Sequence, residues 1–382
     1  MVGISCMKEQ EDKVNDEILL PLKQQGYSTG LAKIMASDMK KYLPMRFWLV
    51  DNSYSMSERD GHKFVETKKR SEVYIMNCTR WEEIQQTVSY HARMAATLLA
   101  PTSFRLLNHP GGNYPQSFGV AEGPYAKNIQ DDLYTAIDTM EMTRPCGLTP
   151  LVEHILEIQN RIREMSPQLR ARGERVGLII ATDGLPTNSE GYGGQIAKEE
   201  FRRALRRLET LPVWVVIRLC TDDEEVVQFY NALDQHLELS LEVLDDFIGE
   251  ANEVYGHNKW LTYGLPLHRC REFGFHDRLF DAIDERSLTK YELRCFCALL
   301  FGLRSNYDIP DPEEDWSGFK GEVKRLLKKE CNQYNPVTKK MTPWIDIFWL
   351  ELTYGRWNIH LLKRYAMFVV IILFSLLWNK IH

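Results

Sequence analysis

The sequence lacks the short signatures that mark the commoner catalytic sites. It has no P-loop, no His-Glu-x-x-His pair and no Gly-x-Ser-x-Gly elbow. It also lacks an excess of positive charge. Its 47 Lys and Arg stand against 53 Asp and Glu, a net charge of -6, which gives no reason to expect nucleic acid. Cysteine is sparse and unpatterned. Cys6, Cys78, Cys146, Cys220, Cys270 and Cys331 are scattered, and Cys295-Phe-Cys297 is too tight a pair for a zinc ribbon or a thioredoxin-type motif. Most thiols are therefore expected to be buried and free, in a reducing compartment. No secretory leader is visible, because Lys8, Glu9, Glu11 and Asp12 come before any apolar run. The composition, 44% hydrophobic and 26% charged over 382 residues, suits one large globular domain with an additional region.

The rest of the chain is arranged around Arg46-Phe-Trp-Leu-Val-Asp51-Asn-Ser53-Tyr-Ser55. A short apolar run that ends in an acid reads as a buried strand opening into a polar loop. Asp51, Ser53 and Ser55 alternate, so one loop can direct three oxygen side chains at a single point. Hard divalent cations take oxygen ligands in that way, and magnesium accepts neutral hydroxyls because it keeps several of its waters. Two later stretches fit the same end of a sheet. Gly147-Leu-Thr149-Pro150-Leu151 places a hydroxyl at a loop-to-helix junction, and Val176 to Thr182 is a second apolar run, ending in Asp183.

These three pieces, in this order and at this spacing, resemble the von Willebrand factor type A domain and its metal-ion-dependent adhesion site. The resemblance covers about Arg46 to Asp246. It implies that the hydroxyls of Ser53, Ser55 and Thr149 carry a cation and that Asp51 and Asp183 hold it directly or through water. The implied ion is Mg2+, with Mn2+ or Ca2+ as the other choices, and the implied partner is a protein that offers an acidic side chain to the metal. Thr149 has a second reading, as the N-cap of a helix with Pro150 at its first position.

The intervening segments alternate. Thr79-Arg-Trp-Glu82 is a capping box before a helix to about Ala100, and a strand follows at Thr102 to Leu107. Ser117 to Ala121 reads as an antiparallel edge strand and Asn128 to Met140 as a helix. Helix Pro150 to Leu169, strand Val176 to Thr182, helix Gln195 to Leu208, strand Val213 to Leu219, helix Asp222 to Leu237 and strand Leu241 to Leu244 continue the pattern. Asp222 and Asp223 read as acids at a helix start. Arg202, Arg203, Arg206 and Arg207 interleave with Glu199, Glu200 and Glu209 and read as a solvated helix face. The fold class is therefore α/β, a doubly wound and mostly parallel sheet flanked by helices, with a mainly helical C-terminal region. In such sheets ligands bind at the carboxyl ends of the strands, where Asp51 and Asp183 lie. Their convergence requires that the two strands be neighbours.

Four segments follow from this reading: a helical extension over 1–43, the α/β domain over 44–256, a helical and irregular region over 257–362, and a hydrophobic tail over 363–382. Glu58 to Cys78 departs from the family pattern, with an Asp60-Gly61 turn and a short strand at Lys63 to Glu66, and this insertion beside the expected metal reads equally as part of a partner-binding face or as a surface loop. Gly256 to Phe275 reads as irregular and Asp308 to Asp315 as an exposed linker, while Thr289-Lys-Tyr-Glu292 opens a helix. His257, His268 and His276 fit no metal-binding spacing. Tyr365 to Trp378 is apolar but short for a membrane span; it reads either as a buried core helix or, as the flanking Lys363, Arg364 and Lys380 favour, as an anchor in an intracellular membrane with the domain facing the cytoplasm. The functional expectation is a cation-dependent protein-binding module. The competing readings are a Mg2+-dependent phosphohydrolase using Asp51, and a scaffold whose metal is only structural.

Overall fold

The computed structural model describes residues 18–66, 73–123, 128–188, 190–233 and 237–355. The apolar tail at 365–378 lies outside them, as do the start of the N-terminal extension and residues 67–72 of the insertion. No helix among the described residues is long and apolar enough to cross a membrane.

The strands are β1 (Met45–Val50), β2 (Gly61–Glu66), β3 (Val73–Cys78), β4 (Thr102–Leu106), β5 (Ser117–Val120), β6 (Val176–Thr182), β7 (Val213–Leu219), β8 (Leu241–Leu244), β9 (Gln333–Asn335) and β10 (Lys340–Thr342). Six of them form one sheet in the order β5-β4-β1-β6-β7-β8. Every neighbouring pair is parallel except β4 with β5, the antiparallel edge expected from the sequence. β1, β6 and β7 are buried along their whole length, as the central strands of a sheet covered on both faces are, and that burial includes the charged side chains of Arg46 in β1 and Arg218 in β7.

Alternation along the strands feeds two cores. Phe47, Leu49, Leu178, Ile180, Val215 and Ile217 face helices Leu151–Arg172, Gln195–Arg206 and Glu224–Asn231. Trp48, Val50, Ile179, Ala181 and Val216 face helices Arg80–Leu98 and Ile129–Met142. The helix that starts near Asp222 stops at Asn231, well short of Leu237, and its N-cap is Asp223, whose side chain accepts from the Glu225 and Val226 amides. Arg202 and Arg206 pair with Glu199, and Arg203 with Glu200, so this helix face is a lattice of ion pairs within one helix.

A third core joins the two ends of the described chain. Leu22, Leu31, Met35 and Met39 pack with Trp260, Leu267, Phe296, Phe301, Val323 and Trp344. Residues 29–42 thus lie against the C-terminal region as well as preceding β1. Thr29 donates to Glu330 through its amide and its hydroxyl, at 3.0 and 2.6 Å. At Gly30 the two backbones nearly touch, because a methyl built there would lie 1.7 Å from the Leu299 carbonyl oxygen.

Two expectations fail in the C-terminal region. Gly256 to Phe275 is not irregular throughout, since Leu265–Glu272 is a helix with Pro266 in its first turn. Its polar residues His268, Arg269, Arg271 and Glu272 are all buried; Arg269, Arg271 and Glu272 are held there by ion pairs, whereas burial lowers the His268 imidazole to about 4 and keeps it neutral. Nor is Asp308 to Asp315 wholly exposed. Ile309 is buried, and Arg294 donates to its carbonyl oxygen and to Asp311. The capping box at Thr79 forms as read, and the helix opened at Thr289 begins with one too, each with its glutamate reaching back to the cap amide.

Candidate metal centre

The site begins with strand order. The chain runs from β1 to β4 on one side and returns to β6 on the other, so β1 and β6 flank the point where the winding reverses. Crevices at that point, beyond the carboxyl ends of the strands, are where such sheets bind ligands. Val50 is in register with Ala181, and the Asp51 amide donates to the Ala181 carbonyl oxygen at 2.9 Å. Asp51 and Asp183 therefore leave adjacent strand ends, as their convergence demanded.

Both carboxylates are buried, along with Ser53 and Thr149. Asp51 Oδ1 accepts from the Ser53 amide at 2.8 Å, and its Oδ2 accepts from Thr182 Oγ1 at 2.6 Å. Ser53 Oγ and Ser55 Oγ lie 3.1 Å apart, and Ser55 Oγ donates to Asp183 Oδ1 at 2.8 Å. Thr149 joins from the far loop. A methyl built on Gly184 would lie 3.9 Å from Thr149 Oγ1 and 4.0 Å from Ser55 Oγ, so those two hydroxyls border one small space that glycine leaves open. The N-cap of helix Leu151–Arg172 is Pro150, not Thr149, and no side chain caps it. The hydroxyl of Thr149 is not spent on a cap. All five residues singled out in the sequence are thereby brought to one end of the sheet.

The loops are held by residues that the sequence did not single out. Asn52 and Asn108 exchange hydrogen bonds, Asn52 Nδ2 to the Asn108 carbonyl oxygen at 3.0 Å and the Asn108 amide to Asn52 Oδ1 at 2.8 Å. Asn108 Nδ2 then donates to the Leu148 carbonyl oxygen at 2.7 Å, next to Thr149. Gly147, with φ +76°, lets this turn form, and a Cβ there would lie 2.3 Å from Asn108 Oδ1.

Arg80 is the larger omission. It opens helix Arg80–Leu98, and its Nη1 donates to Asp183 Oδ2 at 2.9 Å. Its Nε and Nη2 hold both oxygens of Asp60. The insertion read as a possible loop supplies Asp60, and β2 and β3 form a hairpin behind it. Gly61 lets the hairpin approach the helix start, since a Cβ would come within 2.7 Å of the Thr79 carbonyl oxygen. A residue just inside a capping box gives no sequence cue beyond a charged helix start.

The electrostatics favour a cation. Burial, and then the neighbouring Asp183, push the Asp51 carboxyl above the ordinary carboxylate value. Burial raises Asp183 too, although its bonds from Arg80 and Ser55 pull the other way. Two buried acids of like charge cannot both ionise cheaply without a positive partner. Arg80 supplies part of that charge, to Asp183 only. The donor set consists of oxygens, with no thiolate or imidazole, and so fits a hard divalent ion.

No protein-family model and no curated protein matches the chain. Among solved structures, the crystal structure of the SpRpn10 VWA domain aligns at 12% identity over 53% of this chain and 87% of that one, with a TM-score of 0.33. The architecture described above rests on strand order and direction, and the site on its own distances.

Proposed function

We propose that this chain is a divalent-cation-dependent protein-binding module rather than an enzyme. The observation that carries the reading is the pair of buried carboxylates, Asp51 and Asp183, with three hydroxyls around them at the reversal point of a parallel sheet. Asp51, Ser53, Ser55, Thr149 and Asp183 would hold Mg2+, or Mn2+ or Ca2+ in its place. The bound ion would offer a free coordination position to an acidic side chain of a protein partner. Thr182 would keep Asp51 oriented, and the Asn52–Asn108 bonds would keep Thr149 in reach.

Arg80 favours a second reading, a scaffold in which the guanidinium already neutralises Asp183 and no cation is needed. Calorimetric titration of Mg2+ into the full chain separates the two. One saturable site is expected, absent from Asp51→Ala/Asp183→Ala and at least about tenfold tighter in Arg80→Gln, where a like charge has been removed. A folded wild-type chain that takes up no Mg2+ would leave the scaffold. Phosphate-ester turnover that is lost in Asp51→Ala would replace both readings with a phosphohydrolase.

The apolar tail at 365–378 would hold this module on an intracellular membrane, facing the cytoplasm. Full-length chain is expected to stay with membranes through an alkaline carbonate wash, and a chain cut before 365 to be released. Equal release of both would remove the anchor from the proposal.

A further inference from the structure

Three other groups of side chains, at the described residues, bring possible ligand atoms within 4.8 Å of one another: His62 with Glu83 and Asp246, Glu242 with His276 and Asp281, and Glu250 with Glu253 and Asp284. Their hydrogen bonds rank them. In the first group every carboxylate oxygen is engaged: Glu83 by Arg218 and the His62 amide, Asp246 by the Gly249 amide and His62 Nδ1. The third is acidic only, and Glu250 and Asp284 both accept from Arg271.

The second group differs. Glu242 lies on β8 opposite Val216, and its side chain is on the sheet face shared by Trp214 and Arg218. It is 9% exposed, and Oε1 accepts from Arg271 Nε at 2.6 Å. Its other oxygen, Oε2, is buried and has no hydrogen-bond partner among the described residues. An orphaned buried carboxylate oxygen loses its hydration with nothing in return. Two groups of opposite character stand beside it. His276 is exposed, its ring stacked on Trp214 at 3.8 Å between centroids, and its Nδ1 lies 3.6 Å from Asp281 Oδ1.

The local charge balance points the same way. Arg271 alone faces Glu242, Glu250 and Asp284, one guanidinium for three carboxylates, all buried or nearly so. Burial keeps both Glu242 and Glu250 above the usual carboxylate value, even against the pull of Arg271. The cluster is short of positive charge. A cleft of about 300 Å³ lined by Tyr42, Arg175, Trp214, Phe275 and His276 gives solvent an approach to the imidazole.

We propose that Glu242, His276 and Asp281 form a second cation site, selective for a first-row divalent transition metal such as Zn2+, that ties the edge strand of the sheet to the C-terminal region. One imidazole with two carboxylates is a nitrogen-and-oxygen set that suits zinc better than magnesium or calcium. Ligand bonds of about 2.0 to 2.1 Å in a tetrahedron put ligand atoms about 3.3 Å apart. Closing from the present spacing asks for small movements of His276 and Asp281, which are both partly exposed, toward a Glu242 fixed by Arg271. The fourth position would hold water. This site is independent of Asp51 and Asp183.

The test uses the full chain, stripped by chelator and then kept in excess Mg2+. Zn2+ is added calorimetrically, and Co2+ in a parallel titration is followed by its visible absorption. One equivalent of Zn2+ is expected, raising the unfolding temperature, with affinity at least about tenfold weaker in each of His276→Ala, Asp281→Asn and Glu242→Gln, and unchanged in Asp51→Ala/Asp183→Ala. His276 and Asp281 are exposed enough for their variants to fold if Glu242→Gln does not. Zinc binding that is absent, that survives His276→Ala unchanged, or that disappears when the exposed thiols Cys146 and Cys331 are alkylated would overturn the proposal.

Discussion

Arg271→Met is expected to lower folding stability by about 3 to 5 kcal/mol, the usual cost of removing one partner from a buried ion-pair network. Arg271 is 2% exposed and joins three elements: Glu242 on β8, Glu250 on helix Phe247–His257 and Asp284 on helix Arg278–Glu285. It also donates to Tyr263 Oη at 3.2 Å. Methionine fills much of the same volume but leaves three carboxylates without their cation. The network stands where the sheet meets the C-terminal helices, so its loss should loosen that junction first. Urea unfolding followed by tryptophan fluorescence checks the size of the effect. The pH dependence checks the cause. In the variant the abandoned carboxyls bind protons more readily folded than unfolded, so its deficit should grow as pH rises from the ordinary carboxylate range toward neutrality and shrink as pH falls. A deficit under about 1 kcal/mol, or one that does not vary with pH, would mean that Arg271 contributes little beyond packing.

Gly30→Ala should cost about 3 kcal/mol by a different route, the upper end of what forced overpacking does. The methyl has nowhere to go. Besides the Leu299 carbonyl oxygen, it would meet Gly302 N and the Leu300 carbonyl oxygen, each at 2.7 Å. These are backbone atoms at the end of helix Lys290–Phe301, so no side chain can rotate out of the way. Gly302 itself has φ +65° and leaves equally little room, with Gly30 Cα 3.0 Å from the place a Cβ would take. The segment before β1 should therefore detach from the C-terminal region. Limited proteolysis is expected to cut the variant near residues 20 to 44 while the wild type resists, and denaturant unfolding gives the energy. Wild-type resistance with unchanged stability would show that the two backbones can separate without cost.

The α/β domain was legible because its signals are redundant. Trp48 to Val50 and Leu178 to Ala181 are uninterrupted apolar runs, the first followed directly by Asp51 and the second by Thr182 and then Asp183, and both became adjacent buried strands. Thr149 could be read as a cap or as a ligand. The structure gives the cap position to Pro150, a choice that turns on one backbone dihedral and not on residue type. The C-terminal region was hard to read for one physical reason. Residues such as Arg269, Arg271 and Glu272 suggest a solvated loop, but charges paired in opposite signs can be buried, and several of the partners are distant: Glu250 lies 21 positions from Arg271, and Arg218 and His91 lie 54 and 181 positions from Glu272, which leaves no local trace. Arg80 escaped notice in the same way, since its partner Asp183 is 103 positions distant.

The contact between Thr29 and Glu330 spans 301 residues, and that distance sets a schedule for the nascent chain. At about 5 to 20 residues per second, the segment before β1 leaves the ribosome about 15 to 60 seconds before the helices that receive it. The sheet can close earlier, because its last strand ends at Leu244. Through that interval the apolar side chains of Leu22, Leu31, Met35 and Met39 have only Met94, Leu98 and Ala100 of their core, and lack Trp260, Phe296, Phe301, Val323 and Trp344. Synthesis would thus let the α/β domain assemble first, with the segment before β1 completing its core only when the last third of the described chain has emerged.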